Sequence, residues 1–248
     1  MNESSTKNSL GLLFFGIALA LGLIISASIL SGAFKEVKLA DQTITVKGYA
    51  EKKIMSDIGY WSCDFSSRSS DLKSAYSKLQ SDREKIISYL LNKGISKDSI
   101  KIWAVNTITQ FVLNKDGNPT NVIEGYVLTQ NISIGSKNVL LIENIANEST
   151  SLIQEGIEIN SHPPSFFYSD INSLKIDMLS EAAKDARNRA EQLAKSSGSS
   201  VGSLRSANQG VFQITAPNSI EVSDWGQYDV NTIEKSVKAV VTIDYSIK

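Results

Sequence analysis

The 248-residue sequence predicts an α+β protein, an antiparallel sheet with helices packed on one face, preceded by one N-terminal transmembrane helix. Three observations carry that class. An uncharged apolar run opens the chain. Three later stretches repeat apolar residues at three- and four-residue spacing. Between and after them, short segments alternate apolar with polar residues, most cleanly at Val237, Ala239, Val241, Ile243, Tyr245 and Ile247.

Asn8 to Phe34 carry no charge over 27 positions, and Leu10 to Leu30 form the apolar centre, with Phe14 and Leu21 inside it. Twenty-one helical residues reach about 31 Å, matching a bilayer core of about 30 Å. A secretory apolar region is usually only about 7–15 residues long, which favours a retained anchor. The alternative is a cleaved signal, since Ser31-Gly32-Ala33 is an acceptable small-x-small site. Lys7 precedes the span while Lys35 and Lys38 follow it, so charge leaves its orientation open. The chain therefore divides into a cytoplasmic tail (1–9), an anchor (10–32), a tether (33–42) and a folded domain (43–248).

Within the domain, Ile44-Thr45-Val46-Lys47 reads as a strand ending at Gly48, and Ile54 to Phe65 as a second, with Trp61, Cys63 and Phe65 on one face. The first helix starts near Ser70 and carries Leu72, Ala75, Tyr76, Leu79, Ile86, Ile87, Leu90 and Leu91, with Gly94 as its left-handed stop. Ile100–Leu113 and Val122–Ile134 flank Asn114-Lys115-Asp116-Gly117-Asn118-Pro119, a hairpin turn. Strands of about 13 residues span roughly 43 Å, against a usual length of about 5–6 residues. They predict a projecting hairpin whose edge pairs with another subunit; the alternative is a bulge that divides each strand. A second helix runs from a Ser136 cap to Gly156. Ile157 and Ile159 then form a strand before Pro163-Pro164 and Phe166-Phe167-Tyr168.

The third helix, from an Asp170 cap to Gly198, has the clearest stripe: Ile171, Leu174, Met178, Leu179, Ala182, Ala186, Ala190, Leu193 and Ala194. Alanine every four residues lets a backbone approach a sheet closely. The order contains β-α-β-β-α-β, the split arrangement of ferredoxin-like folds, with an added long helix and C-terminal strands.

Composition removes most chemistries. Twenty-five Lys and Arg against 26 Asp and Glu give a net charge of -1, and without residues 1–40, which hold Lys7, Lys35, Lys38, Glu3 and Glu36, it is -2. No basic cluster suits nucleic acid, so none is expected as a partner. One Cys and one His exclude a disulfide framework and a Cys/His zinc set. His162 reads as a structural or exposed histidine, and Cys63 as a buried, inert thiol. There is no nucleophile elbow, P-loop or dinucleotide fingerprint, and no catalytic, cofactor or metal residue is expected. Asn114 to Glu124 superficially suggests a calcium loop, but Val112 stands where the first acid should be. Glu181 and Asp185 lie among Lys184, Arg187 and Arg189, as on a solvated helix face. Ala216 to Ser236 lacks a regular pattern, apart from a candidate short strand at Ile220-Glu221-Val222. Its Trp225 and Tyr228 are candidate partner contacts; the alternative is that they fold back over the sheet.

The segment EAAKDARNRAEQLAKSSGSSVGSL resembles the signature of SIMPL-domain proteins. The matching positions are Asp185-Ala186-Arg187, Ala190-Glu191-Gln192-Leu193-Ala194, Gly198 and Gly202. ITVKGYAE, LLNKGISKDSIKI, EGYVLTQNISI and VKAVVTIDYSI agree in order, extending the resemblance over residues 43–248. Met55-Ser56-Asp57 departs from the Pro-Asp often found there, and the loop near Trp225 matches nothing in the pattern. The resemblance implies an exported bacterial envelope protein. Relatives are described as oxidative-stress defence proteins, as surface antigens and as ring-like oligomers, without a transferable catalytic set. The resulting expectation is a non-enzymatic, membrane-anchored module at the bacterial inner membrane, with its domain in the periplasm or released there after signal cleavage. It would self-associate, and an unidentified protein partner is also expected. The alternative is an enzyme or direct oxidant scavenger, for which three Met and one Cys give little capacity.

Overall fold

A computed structural model describes residues 15–32, 42–221 and 223–248. The first helix, α1 (Phe15–Gly32), has a mean hydropathy of 2.1 and is exposed throughout. Its length and composition suit a membrane span, and a signal sequence meets the same test. Leu21 and Leu30 lie on it, 54% and 70% exposed. Leu10 and Phe14 fall outside the described residues, as do the tail and residues 33–41 of the tether.

The protein is a mixed α+β fold with four helices among the described residues, but its strands form two sheets rather than the single one expected. By contacts the chain divides into two compact units. The smaller draws its described residues from Met1–Ala50, Leu179–Gly210 and Ala239–Lys248. The larger comprises Glu51–Met178 and Val211–Lys238.

In the larger unit, β2 (Ile58–Ser69) and β5 (Pro119–Ser136) form a long antiparallel ladder from Gly59↔Ser136 to Ser69↔Tyr126. β6 (Glu158–Ser161) and β7 (Ser165–Phe167) pair with β2 on its other side. β3 (Ile100–Ile102) and β4 (Asn106–Leu113) pair with the far edge of β5. All these neighbours are antiparallel. Alternation along β2 buries Trp61, Cys63 and Phe65 on one face. There they meet Leu79, Ile86 and Leu90 of α2 (Leu72–Asn92) and Ile142 and Ile145 of α3 (Val139–Glu148). Each such side chain contributes about 1.5–3 kcal/mol when taken from water.

Local chemistry sets the helix ends. Asp71 Oδ2 accepts from Ser74 N at 2.8 Å, a cap worth about 1 kcal/mol. Gly94 ends the following turn at φ +93, as its position predicts. The expected Ser136 cap is displaced to Asn138, whose Oδ1 accepts from Leu141 N at 3.1 Å; Ser136 instead accepts from Asn138 N. After Glu148 the chain tightens into a 3₁₀ segment, Ser149–Glu155, before Gly156 at φ +79. Ser149 Oγ donates back to Ala146 O there, the local competition that makes serine a weak helix former.

The hairpin arms are unequal. β5 forms one strand of 18 residues, with register shifts against β4 on either side of Phe111, whereas the first arm divides into β3 and β4 at Trp103-Ala104-Val105. At the break Gln130 Nε2 donates to Trp103 O at 2.7 Å, so a side chain replaces a ladder bond. The turn is as predicted: Asn114 Oδ1 accepts from Asp116 N and Asn118 N, with Gly117 at φ +79. Also in the larger unit, β9 (Gln213–Thr215) pairs antiparallel with Ser236–Lys238, and β10 (Gln227–Tyr228) runs parallel to β9. The irregular loop thus contains a strand, but not at Ile220-Glu221-Val222. Ile220 and Glu221 carry no regular structure, and Val222 lies outside the described residues.

In the smaller unit, β11 (Glu234–Ile247) lies between β1 (Thr43–Met55) and β8 (Val201–Gln209). The β8 ladder is antiparallel, and Gln42 against Ile247 with Thr45 against Asp244 sets β1 antiparallel as well. α4 (Ile171–Ser196) buries Ala182, Ala186, Ala190 and Ala194, while Leu193, expected on the same stripe, is 56% exposed. Gly48 does not end a strand as expected; β1 runs through it to Met55. A Cβ there would lie 2.7 Å from Ala186 Cβ and Ala186 N and would strike the Ala182 carbonyl oxygen. Glycine permits the close approach that the alanine stripe of α4 requires. Of the two glycines after α4, Gly198 adopts φ +76, while a side chain at Gly202 would collide with Ser246 Oγ.

Candidate functional site

The face of the larger unit's sheet turned away from α2 and α3 is polar. Alternation along β2 sets Tyr60, Ser62, Asp64, Ser66 and Arg68 on it, opposite the buried set. The ladder register brings Asn131 of β5 across from Asp64. Beyond β6, His162 N donates to Ser62 O at 3.1 Å, which holds the loop against β2. The imidazole Nε2 then lies 2.8 Å from Asp64 Oδ2, and Asn131 Nδ2 donates to Asp64 Oδ1 at 2.9 Å. Burial raises the Asp64 carboxyl, but the hydrogen bonds from Asn131 and His162 and the imidazole charge outweigh it, leaving its pKa below the ordinary value. Next along the face, Glu158 accepts from Ser66 Oγ and Arg68 Nε. The Ser66 bond leads in holding its carboxyl down, with burial opposing.

His162 thus has the structural setting expected of it, and what the sequence did not disclose is its partner. His162 is bound to a carboxylate 98 positions away, a separation no local pattern spans. One signal was present: an acid in the middle of a strand pattern, at Asp64. Because Asp64 titrates lower folded than unfolded, its contribution exists above about pH 4 and disappears as pH falls through the folded value. Asp64→Asn is therefore expected to lower the urea midpoint near pH 7 and to lower it by less near pH 3. Equal losses at both pH values, measured by urea unfolding, would contradict this.

Cys63 projects from the opposite face and is wholly buried. Burial first, and the neighbouring Asp64 charge second, push its thiol up to about 12. A thiolate nucleophile is disfavoured there.

A cavity of about 780 Å³ opens where the start of β2, the end of β5 and the segment after α2 meet. Known small-molecule sites run from about 300 to 1,000 Å³. Lys101 and Lys137 line it together with several serines, and no Asp or Glu does. Lys101 Nζ stands 4.1 Å from the centre of the Trp103 ring, and Trp103 Nε1 donates to Ser133 Oγ at 3.0 Å.

The two aromatic partner candidates behave differently. Trp225 is 94% exposed, and Ile220 of the same loop is 93% exposed. Tyr228, on β10, sits with its ring centre 6.3 Å from that of Phe167, which meets Tyr60 edge-on at 5.8 Å. No ring contact joins Trp225 to Tyr228 among the described residues. Behind this loop, Lys235 is 1% exposed and donates to Thr232 O, with Asp229 Oδ2 3.7 Å away. Burial lowers the pKa of Lys235, and Asp229 opposes that shift. This buried clamp was likewise invisible in the sequence.

At the hairpin tip, Ile108, Phe111, Val112, Leu113, Val122 and Ile123 are all at least 40% exposed. Phe111 and Ile123 stand directly opposite each other in the ladder. Among the described residues, β4 pairs with β5 alone, so its outer edge is open.

Compared with known proteins, residues 44–245 match a family model whose description is SIMPL, protein of unknown function (DUF541). No curated protein matches the chain.

Proposed function

The chain belongs to the SIMPL family, and from that premise we propose that it is a membrane-tethered, extracytoplasmic module that assembles with copies of itself through the β4–β5 hairpin. One observation carries this reading: the hairpin tip exposes six large apolar side chains beside an open strand edge. Clustered exposed apolar side chains mark interaction surfaces, and an open strand edge offers hydrogen bonds to a second chain. The apolar α1 supplies the tether. It holds copies in one plane and raises their effective concentration. Any part in oxidative-stress defence is indirect, through envelope integrity or a bound partner. The direct-scavenger alternative has against it a single thiol that is buried and pushed up to about 12. We read the larger unit as a ferredoxin-like split β-α-β core, a reading supported by the strand order β6-β2-β5-β3 with antiparallel neighbours.

A single new thiol tests the assembly. Since Cys63 is buried, Leu113→Cys provides the reactive sulfur at the hairpin tip. Mild oxidation of membranes bearing this variant is expected to give a disulfide-linked dimer on non-reducing gels, with none from the parent. A monomer band alone would count against contact between copies at the hairpin.

A further inference from the structure

The cavity at the start of β2 has a chemistry that self-assembly does not use. We propose that it binds a phosphorylated sugar, either free or as a lipid headgroup.

Charge comes first. The two ionisable cations lining the cavity are unaccompanied by any lining acid, in a chain whose overall charge is -1. Neither Lys101 nor Lys137 has an ion-pair partner among the described residues. Lys101 rests on the Trp103 ring instead of on a carboxylate, so its ammonium is held in place without being neutralised. Lys137 immediately precedes Asn138, the cap of α3, and the positive end of that ten-residue helix reinforces the same rim. An anion is the complement of such a surface.

Hydroxyls come second. Six serines line the space, Ser62, Ser96, Ser99, Ser133, Ser136 and Ser165. Ser62 and Ser165 have no side-chain hydrogen bond among the described residues, while Ser96 and Ser99 bond to each other at 2.9 Å. Hydroxyls both donate and accept, which suits a ligand carrying its own hydroxyl groups better than a bare apolar acid. Tyr60 adds a half-exposed aromatic surface. A Cβ at Gly135 would lie 2.8 Å from its ring, so glycine there lets the tyrosine settle against β5 at the cavity wall. A sugar ring presents C–H groups to such a surface while its phosphate meets the lysines. The volume of about 780 Å³ accommodates a ligand of that size.

Titration calorimetry on the full chain in detergent is the test, with glucose 6-phosphate, glucose and inorganic phosphate as probes. Saturable binding of glucose 6-phosphate is expected, with no measurable heat from glucose. Inorganic phosphate should bind at least tenfold more weakly, and a Lys101→Met/Lys137→Met variant should bind glucose 6-phosphate roughly tenfold more weakly or worse, as when charged hydrogen bonds are removed. Circular dichroism of the double variant and both single variants checks that each is folded, and a folded single variant suffices for the comparison. In a second arm, phosphatidylinositol 4-phosphate in the same micelles presents the chemistry at a surface. Saturation by either compound supports the site, and the tighter of the two identifies the source. The proposal is overturned if neither saturates, if binding survives the lysine substitutions, or if inorganic phosphate binds as tightly as the sugar phosphate.

Discussion

Replacing Gly48 with alanine is expected to destabilise the smaller unit by about 3 kcal/mol, at or above the upper end of the usual overpacking range. One methyl group there meets backbone on two sides, the Ala182 carbonyl oxygen and Ala186 N, besides Ala186 Cβ. Those atoms belong to the rigid interior of α4 and have no rotamer through which to withdraw. Either α4 lifts from β1 and opens the packing of Ala182, Ala186, Ala190 and Ala194, or β1 bends and disturbs its pairing with β11. For a unit of this size such a loss corresponds to a Tm lower by roughly 12–24 °C, to be read by thermal circular dichroism. Substituting Ala186 with glycine in the same chain should recover only part of the loss, since the carbonyl contact remains. An unchanged Tm would show that the close approach of helix and strand is not required.

The second large effect concerns assembly. Phe111→Glu/Ile123→Glu introduces two like charges at directly opposed positions on the exposed hairpin. Both parent side chains already face solvent, 40% and 49% exposed, so the isolated chain should lose less than about 1 kcal/mol. In an assembled form the same carboxylates would lie against apolar surface of a neighbour, where an unpaired charge costs several kcal/mol. The expected result is dissociation with a nearly unchanged Tm. A fall in Tm without dissociation would assign the hairpin an internal structural role.

The helix–strand contact at Gly48 and the exposed hairpin differ in how far the sequence discloses them. The alanine ladder of α4 is a local repeat, and its meaning, close packing, could be read directly from the spacing. The partner of that ladder could not. Gly48 was expected to end a strand, because from sequence alone a glycine after four alternating residues looks like a turn. It instead marks a helix that arrives more than 130 positions later in the chain. The hairpin turn was legible because Asp116-Gly117 and Pro119 act within their own neighbourhood. The break at Trp103 was not, since it depends on the Gln130 amide from the facing strand. The division into two sheets likewise follows from pairings that no window of sequence contains.

The candidate sites divide the same way. The buried face of β2 followed from alternation, and with it the inert setting of Cys63. The same alternation put Asp64 on the opposite face, but neither His162 nor Asn131 is near it in sequence. The cavity is less legible still, because its lysines and serines come from four separate segments. Nothing marks Lys101 or Lys137 as unusual until the fold sets both on a cavity that no Asp or Glu lines.

Self-assembly through the hairpin is read most directly in the mass of the full chain in solution. Light scattering coupled to size exclusion, with the detergent contribution subtracted, gives the number of copies per particle. Several 27.0 kDa chains per particle, reduced to one by Phe111→Glu/Ile123→Glu, is the predicted result. A parent chain that is monomeric over the whole concentration range would contradict self-assembly through the hairpin.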